Sequence, residues 1–168
     1  MSKLKRWGRD ILILAFVMGG AMFVMDRFRA PQAPLAFASQ PLHTLDGTDV
    51  TLDALSAEKP LLVYFWASWC SVCRVTTPTV ARIAQQGGNV ISVALRSGDD
   101  EKVQRYLQAR QFPLTTVNDE KGQLSANWQI GVTPTLVVIN KGKVVSTTTG
   151  WTSGWGMKLR LWWAARTA

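Results

Sequence analysis

Two continuous apolar runs stand out in the alternation of hydrophobic and polar positions along the chain. Leu61–Trp66 and Val90–Leu95 contain no charged side chain, and such short runs are typical of strands buried on both faces of a sheet. Pro60 bounds the first run. We therefore expect Leu61–Trp66 to be a central strand and Val90–Leu95 to be a second buried strand.

A helical spacing of apolar residues follows each run. The first helix is predicted from Ser71 to Gly87-Gly88, with a kink at Pro78 and an inward face formed by Val72, Val75, Val80, Ile83 and Ala84. Asp99 and Asp100 mark the start of a second helix, because carboxylates favour helix N-termini. Phe112-Pro113 ends that helix, and its predicted inward residues are Val103, Tyr106 and Leu107.

Turn residues predict two hairpins. Residues 41–55 alternate apolar and polar positions around Asp46-Gly47, which indicates a small hairpin at the start of the folded unit. Residues 135–139 and 143–149 flank Asn140-Lys141-Gly142 and predict an antiparallel hairpin near the end of the chain.

A last helix is predicted from Ser153. It places four large side chains on one stripe, which we interpret as core packing rather than membrane contact: Trp155, Leu159, Trp162 and Trp163. Two strand-helix alternations followed by a hairpin and a helix predict an α/β fold, a mixed sheet with helices on both faces.

The N-terminal segment is typical of a membrane anchor. Residues 11–25 carry no charge and follow four cations. Fifteen residues of helix cover only ~22 Å of a ~30 Å hydrocarbon core, so the predicted span is extended to residues 10–28 with the flanking arginines reaching outward. Ala36-Phe37-Ala38 is an alternative signal-peptide cleavage site, but it lies far beyond the apolar run, and an uncleaved anchor is favoured.

The charge distribution orients this anchor. Four cations precede the uncharged run of residues 11–25 and two follow it, which predicts a cytoplasmic N-terminus (residues 1–9) and an exported domain. Residues 29–41 contain three prolines among alanines and predict a stiff linker, so the folded domain is predicted to occupy residues 42–168.

The net charge of +8 divides evenly, since residues 1–38 hold six cations and two anions and residues 39–168 hold thirteen and nine. The cations of the larger part are scattered. A mildly basic surface, and no nucleic-acid partner, is therefore the better interpretation.

The chemistry falls on the only two cysteines. Cys70 follows a buried strand and opens a helix, where backbone N–H groups and the helix dipole lower the pKa of a thiol below its free value of ~8.5. Cys73 lies one turn later. This spacing predicts that Cys70 attacks and that Cys73 resolves the mixed disulfide. Trp69, beside the thiol, is expected to form the lip of a docking groove. A structural zinc site lacks ligands, because His43 is the only imidazole.

These residues resemble the thioredoxin family over nearly all of residues 42–168. Residues 66–73 resemble its active-site segment, Pro78 its helix kink and residues 131–135 its cis-proline loop. The anchor and the segments 93–107 and 150–163 resemble the bacterial membrane-tethered branch related to cytochrome-maturation thioredoxins, and within it the suppressor-of-copper-sensitivity group. The resemblance implies that Thr133-Pro134 is cis and, with Trp69, binds substrate as an added strand.

Two positions depart from the family pattern. Tyr64 stands six residues before Cys70, where thioredoxins often carry a buried carboxylate that handles protons for the resolving thiol, and tyrosine is a poor base at neutral pH. Ser71-Val72 replaces the Gly-Pro pair of general reductases. The direction of electron transfer therefore stays open.

The expected function is a periplasmic thiol-disulfide oxidoreductase that is anchored in the bacterial inner membrane by a single pass, needs no cofactor and acts on protein thiols or disulfides. The resemblance implies a reductase supplied by a membrane electron donor of the DsbD/ScsB type. Two alternatives remain: an oxidase, and a Cu(I)-handling protein on the same scaffold, although the methionines lie far from the cysteines.

Overall fold

The N-terminal helix forms a unit of its own. The computed structural model describes residues 2–28, 33–34 and 36–166, and the chain divides into two compact units at residues 30 and 31. The first unit contains α1 (Ser2–Phe28), which covers the predicted anchor 10–28. Among the described residues, no helix combines the length and the apolar character that crossing a bilayer requires.

The second unit contains the remaining elements. In chain order they are β1 (Leu42–His43), β2 (Asp49–Val50), α2 (Leu52–Ser56), β3 (Leu61–Trp66), α3 (Ser71–Gln85), β4 (Val90–Leu95), α4 (Asp100–Ala109), β5 (Thr116–Asp119), α5 (Gln123–Asn127), β6 (Thr135–Asn140), β7 (Lys143–Thr149) and α6 (Gly154–Ala164).

Five strands form a mixed sheet in the order β5-β4-β3-β6-β7. β3 lies at its centre, parallel to β4 and antiparallel to β6, and all its side chains are buried. Because side chains of a strand alternate between faces, Tyr64 and Trp66 join α3, α4 and α6 in one core, whereas Val63 and Phe65 join α2 and Trp128 in the other. The predicted fold class and central strand are confirmed.

Both predicted hairpins are present. β1 pairs antiparallel with β2, and hydrogen bonds from Thr44 and Thr48 to the Asp46 carboxylate lower the pKa of Asp46. The turn between β6 and β7 places Lys141 and Gly142 at positive φ, as the tight turns that match the twist of a hairpin require.

Neither edge of the sheet is a regular, fully exposed strand. The loop of the first hairpin covers β5, since the Leu45 N–H donates to the Thr116 carbonyl at 2.8 Å and Thr44 forms a bridge with Val117. At the other edge, the pairing of β6 with β7 shifts its register between Val138 and Ile139. Such irregularities bend an edge strand and hinder further pairing.

The inward face of α3 is the predicted one only in part, since Val80 and Ile83 are buried and Ala84 packs against the core. Val72 and Val75 are exposed, and the buried face contains Cys73, Thr76, Thr77, Val80, Ala81 and Ile83. The two threonines tolerate burial because their hydroxyls donate to the carbonyls of Val72 and Cys73, one turn back, at 3.0 and 2.7 Å. The helix continues through Pro78 and ends close to the predicted Gly87-Gly88.

The second predicted helix is confirmed as α4. The Asp99 carboxylate caps it by accepting the Lys102 N–H at 2.8 Å, and Val103 and Leu107 are buried. Three short elements, α2, β5 and α5, were not predicted. α5 depends on the buried Asp119 carboxylate, which accepts the N–H groups of Leu124 and Ser125 at 3.1 and 2.7 Å.

Part of the segment assigned to the linker packs into the folded unit. Ala38 is buried, and the ring of Phe37 meets Trp128 edge-on at 4.9 Å. The Ala38 carbonyl accepts the Asp53 N–H at 2.8 Å. These contacts extend the folded unit upstream of Leu42, because one aromatic side chain among the alanines finds a partner in Trp128.

The predicted packing of the last helix is wrong. Its four stripe residues are exposed, by 86% at Trp155, 63% at Leu159, 48% at Trp162 and 62% at Trp163. We call these four residues the aromatic face of α6. Met157 and Ala164 are buried instead, and the Asn140 side chain donates to the Ala164 carbonyl at 2.8 Å. The smaller side chains allow α6 to approach β6 and α3 closely, so the aromatic side chains point away from the core.

This orientation of α6 can be tested by paired substitutions. Met157→Ala is expected to lower the free energy of unfolding by about 2–5 kcal/mol, because it leaves a cavity in the core. Trp155→Ala removes a larger but exposed side chain and is expected to change it by less than about 0.5 kcal/mol. Urea denaturation measures both. A larger loss for Trp155→Ala would place the aromatic face inward.

Candidate active site

The cysteines form a disulfide at the junction of the central strand and α3. Cys70 and Cys73 are bonded, with their Cα atoms 5.2 Å apart. Cys70 is the N-cap of α3, and its sulfur accepts the Cys73 N–H at 3.1 Å. That amide is one of those left without an intrahelical partner at a helix start. The same amide and the helix dipole are available to a Cys70 thiolate once the disulfide is reduced.

The two sulfurs differ in access. Cys70 keeps 7% of its surface exposed and Cys73 only 1%. An incoming sulfur must approach along the axis of the bond that it breaks, so Cys70 is the sulfur that a macromolecule can reach. Cys70 is thus the more exposed of two buried cysteines.

The loop before β6 lies beside Cys70. The Thr133–Pro134 peptide bond is cis, as the resemblance implies, and the Thr133 carbonyl oxygen lies 3.4 Å from the Cys70 sulfur. Thr135 donates its hydroxyl to the Val132 carbonyl at 2.6 Å, and the Gly150 N–H donates to the Pro134 carbonyl at 2.8 Å. Within the described residues the Thr133 N–H has no hydrogen-bond partner. It is therefore open to an added backbone.

Exposed apolar side chains flank the disulfide. Trp69 precedes Cys70, Val72 lies between the cysteines, and Val132 precedes Thr133; all three are exposed. We call these three residues the apolar rim. Trp69 is fixed at its indole nitrogen, which donates to the Arg96 carbonyl at 3.1 Å. The structure thus brings Trp69, Thr133 and Cys70, three predicted site residues, to one surface, with Pro134 buried beneath it.

Three contributors to this surface were not predicted as site residues. The sequence places Val72 on the inward face of α3, and it gives no separate role to Val132, within the loop of residues 131–135, or to Arg96. The signal for Val132 is its place beside the Thr-Pro pair. Arg96 acts through its backbone at a positive φ, and its N–H donates to the Asp119 carbonyl at 3.0 Å, so nothing in its side chain could have identified it.

A pair of hydroxyls lies beneath Cys73 in place of a carboxylate. The Tyr64 hydroxyl and the Thr77 hydroxyl are 2.8 Å apart, and Thr77 donates to the Cys73 carbonyl at 2.7 Å, so Tyr64 is the donor to Thr77. Burial strongly raises the pKa of Tyr64, because an apolar surrounding disfavours the phenolate. Neither hydroxyl can take up a proton at neutral pH, which agrees with the expectation that Tyr64 is a poor base.

The sequence has one imidazole, His43, to consider as a metal ligand. His43 is exposed on β1, and its Nδ1 lies 2.9 Å from Asp49. In the described part of the chain, no group of three or more His, Cys, Asp or Glu side chains is arranged to hold a metal ion.

Comparison with known proteins supplies a family. The model of the AhpC/TSA family matches residues 29–147. A thioredoxin-like protein of Haemophilus influenzae is 43% identical over 98% of this chain and 96% of its own length. The thiol:disulfide interchange protein HelX of Rhodobacter capsulatus is 28% identical over 83% of this chain and 84% of its own.

Among solved structures, the exposed lipoprotein thioredoxin Etrx1 of Streptococcus pneumoniae is similar with a TM-score of 0.63 and 25% identity, over 73% of this chain and 96% of its own. The fold is therefore shared with thioredoxin-like proteins.

The hydroxyl pair predicts a simple pH dependence. Wild-type exchange is expected to show one inflection, from Cys70. Tyr64→Asp should add a second inflection between about pH 5 and 8, because burial raises the pKa of the new carboxylate. Tyr64→Phe is the matched control and should keep one inflection. Stopped-flow rates across pH, with circular dichroism as a folding check, measure this. A second wild-type inflection that Tyr64→Phe removes would contradict it.

Proposed function

We propose a site, a direction and a location for the chemistry of this chain, which belongs to the AhpC/TSA family and is a thioredoxin-like thiol-disulfide oxidoreductase. The proposed catalytic residues are Cys70 and Cys73. The observation that carries the proposal is the contrast between the two sulfurs: Cys70 is reachable and capped by the Cys73 N–H, and Cys73 is buried.

The proposed reaction is a two-electron exchange. In the reduced protein the Cys70 thiolate attacks one sulfur of a substrate disulfide, which forms a mixed disulfide and releases one substrate thiolate. The Cys73 thiol then loses its proton to solvent and attacks the Cys70 sulfur. This step closes the Cys70–Cys73 disulfide and releases the second substrate thiolate. The substrate gains the two electrons that the protein loses, the Cys73 proton goes to solvent, and the two released substrate thiolates take up protons from solvent.

The proposed substrate is an extended segment of a protein. The open Thr133 N–H can donate to its backbone, and Pro134, which has no N–H, cannot compete for the same acceptor. The apolar rim offers Trp69 and Val132 to the side chains on either side of the substrate cysteine. Trp69, Thr133 and Pro134 are accordingly proposed as substrate-binding residues.

The proposed location is the periplasmic side of a bacterial inner membrane, with α1 as a single-pass tether. This is supported by the cations before residue 10 and by the exposed apolar side chains of α1, among them Ile11, Leu12 and Phe16. The electron donor would be a membrane protein of the DsbD/ScsB type, and the suppressor-of-copper-sensitivity group remains the proposed branch.

The proposed direction is reduction of substrates, on the resemblance to the membrane-tethered branch. The position of Cys70 at the start of α3 does not itself favour reduction of substrates, because stabilising the Cys70 thiolate stabilises the reduced pair and lowers its reducing power. The steady-state redox state in cells is the quantity that separates a reductase from an oxidase.

The roles of the two sulfurs predict distinct variants. Cys70→Ser should abolish turnover of a protein disulfide, because no accessible thiolate remains. Cys73→Ser should also stop turnover but should accumulate mixed disulfides with substrate, because the resolving sulfur is lost. Non-reducing gel electrophoresis and mass spectrometry detect the adducts. Adducts in Cys70→Ser, or turnover at the wild-type rate, would exclude these roles.

Location and direction can be measured together in intact Gram-negative cells. A membrane-impermeant maleimide should label Cys70 in intact spheroplasts, and acid-trapped samples should contain mainly the dithiol form. A mainly oxidised cysteine pair would indicate an oxidase, and labelling only after lysis would refute the periplasmic location.

The role of α1 as a tether is tested separately. Leu14→Lys with Val17→Lys should release the chain from the membrane fraction, and Leu14→Ala with Val17→Ala should not, because only the first pair puts charges into the apolar stretch.

A further inference from the structure

The aromatic face of α6 is a second exposed apolar surface, separate in sequence from the apolar rim. Trp155, Leu159 and Trp162 follow one another at helical spacings of four and three, so they share one side of the helix. Together with exposed Trp163 they form a concentrated apolar surface on a helix whose opposite side, with Met157 and Ala164, already packs into the core. Core packing therefore does not account for the aromatic face.

Cations accompany these rings. Lys158 lies within one turn of both Trp155 and Trp162, is exposed, and donates to Gln86 at 2.9 Å. The Arg166 guanidinium stacks on the Trp162 ring, 3.9 Å from its centroid. Stacking uses the face of a guanidinium and leaves its edge N–H groups able to bind an oxyanion. Residues 150–168 contain no Asp or Glu.

We propose that the aromatic face of α6, with Lys158 and Arg166, docks the folded unit onto the headgroup region of a bilayer that contains anionic phospholipid. Tryptophan prefers this region because its ring is apolar and its N–H is polar. Lysine and arginine beside it bind lipid phosphates, and each cation adds attraction to an anionic surface. The inference does not depend on α1 as a tether, since it concerns α6 alone.

Charge argues for lipid over a second copy of the chain. A two-fold contact between copies would bring the same surface together twice. Lys158 and Arg166 of each copy would then face cations without any Asp or Glu side chain from residues 150–168 to pair with them. Removing such cations from water without a counter-charge is unfavourable. An anionic bilayer supplies the counter-charge and accommodates the rings in one surface.

The test uses the full chain carrying Leu14→Lys and Val17→Lys in every arm, so that α1 makes the same weakened contribution throughout. Partition onto vesicles of phosphatidylcholine with or without phosphatidylglycerol is measured by sedimentation. Quenching of tryptophan fluorescence by brominated acyl chains reports contact with the bilayer. Circular dichroism and disulfide exchange confirm that each variant is folded.

Two variants remove the proposed contacts, and two matched variants remove similar groups elsewhere. Trp155→Ser with Leu159→Ser, and Lys158→Gln with Arg166→Gln, are each expected to lower the partition coefficient on anionic vesicles by about tenfold or more. Val75→Ser with Val145→Ser, which removes exposed apolar side chains outside both the apolar rim and α6, and Lys102→Gln with Arg105→Gln, should leave the partition coefficient within about twofold. Binding should be weak on phosphatidylcholine alone.

Three results would overturn the inference. One is an equal loss in the α6 variants and their matched controls. Another is equal binding to vesicles with and without phosphatidylglycerol. The third is a lipid-free dimer, seen by sedimentation velocity, that the α6 variants dissociate while vesicle binding is unchanged; this would assign the aromatic face to a second copy of the chain.

Discussion

The contact between the Cys70 sulfur and the Cys73 N–H depends on how α3 is rotated about its axis. The amide is free to meet the sulfur because it belongs to the first turn, and it points there because Cys73 and Thr77 face the core beneath β3. Had α3 rotated to bury Val72 and Val75, Cys73 would lie nearer the surface, and the two sulfurs would lose their difference in access. The chemistry of the site therefore rests on the packing of one helix face.

The rotation of α3 about its axis is also the feature that the sequence predicts least well. Apolar runs and turn residues predict the central strand, β4, α4 and both hairpins, because the signals are local: burial on two faces, a capping Asp99, a Gly142 that tolerates positive φ. The face of α3 is decided by two threonines that satisfy their hydroxyls within the helix, so polar residue types occupy the core. Hydrophobicity alone cannot show this, and it misplaced Val72.

The packing of the last helix, α6, was predicted wrongly for a related reason. Its sequence offers an aromatic stripe and a stripe of smaller residues, and periodicity favours the larger one for the core. The smaller residues face the core instead, because they let α6 come close enough to β6 for the Ala164 carbonyl to accept a hydrogen bond from the Asn140 side chain. At the active site, the cysteines and the Thr-Pro pair could be predicted from sequence. The Arg96 carbonyl that positions Trp69 belongs to a segment 27 residues away, so this contact leaves no local sequence pattern.

The edges of the sheet restrict where a foreign strand can join. The first hairpin covers β5, and the shifted register at Val138 and Ile139 disturbs the ladder beside β7. A protein whose working partners are unfolded or oxidised chains meets many segments that would template on a regular edge and aggregate. In the proposed function, the open Thr133 amide next to the sulfur would instead bind one extended segment of such a chain until the disulfide is exchanged. The same sheet thus hinders unwanted strand pairing at its edges and leaves one open backbone amide for the proposed substrate.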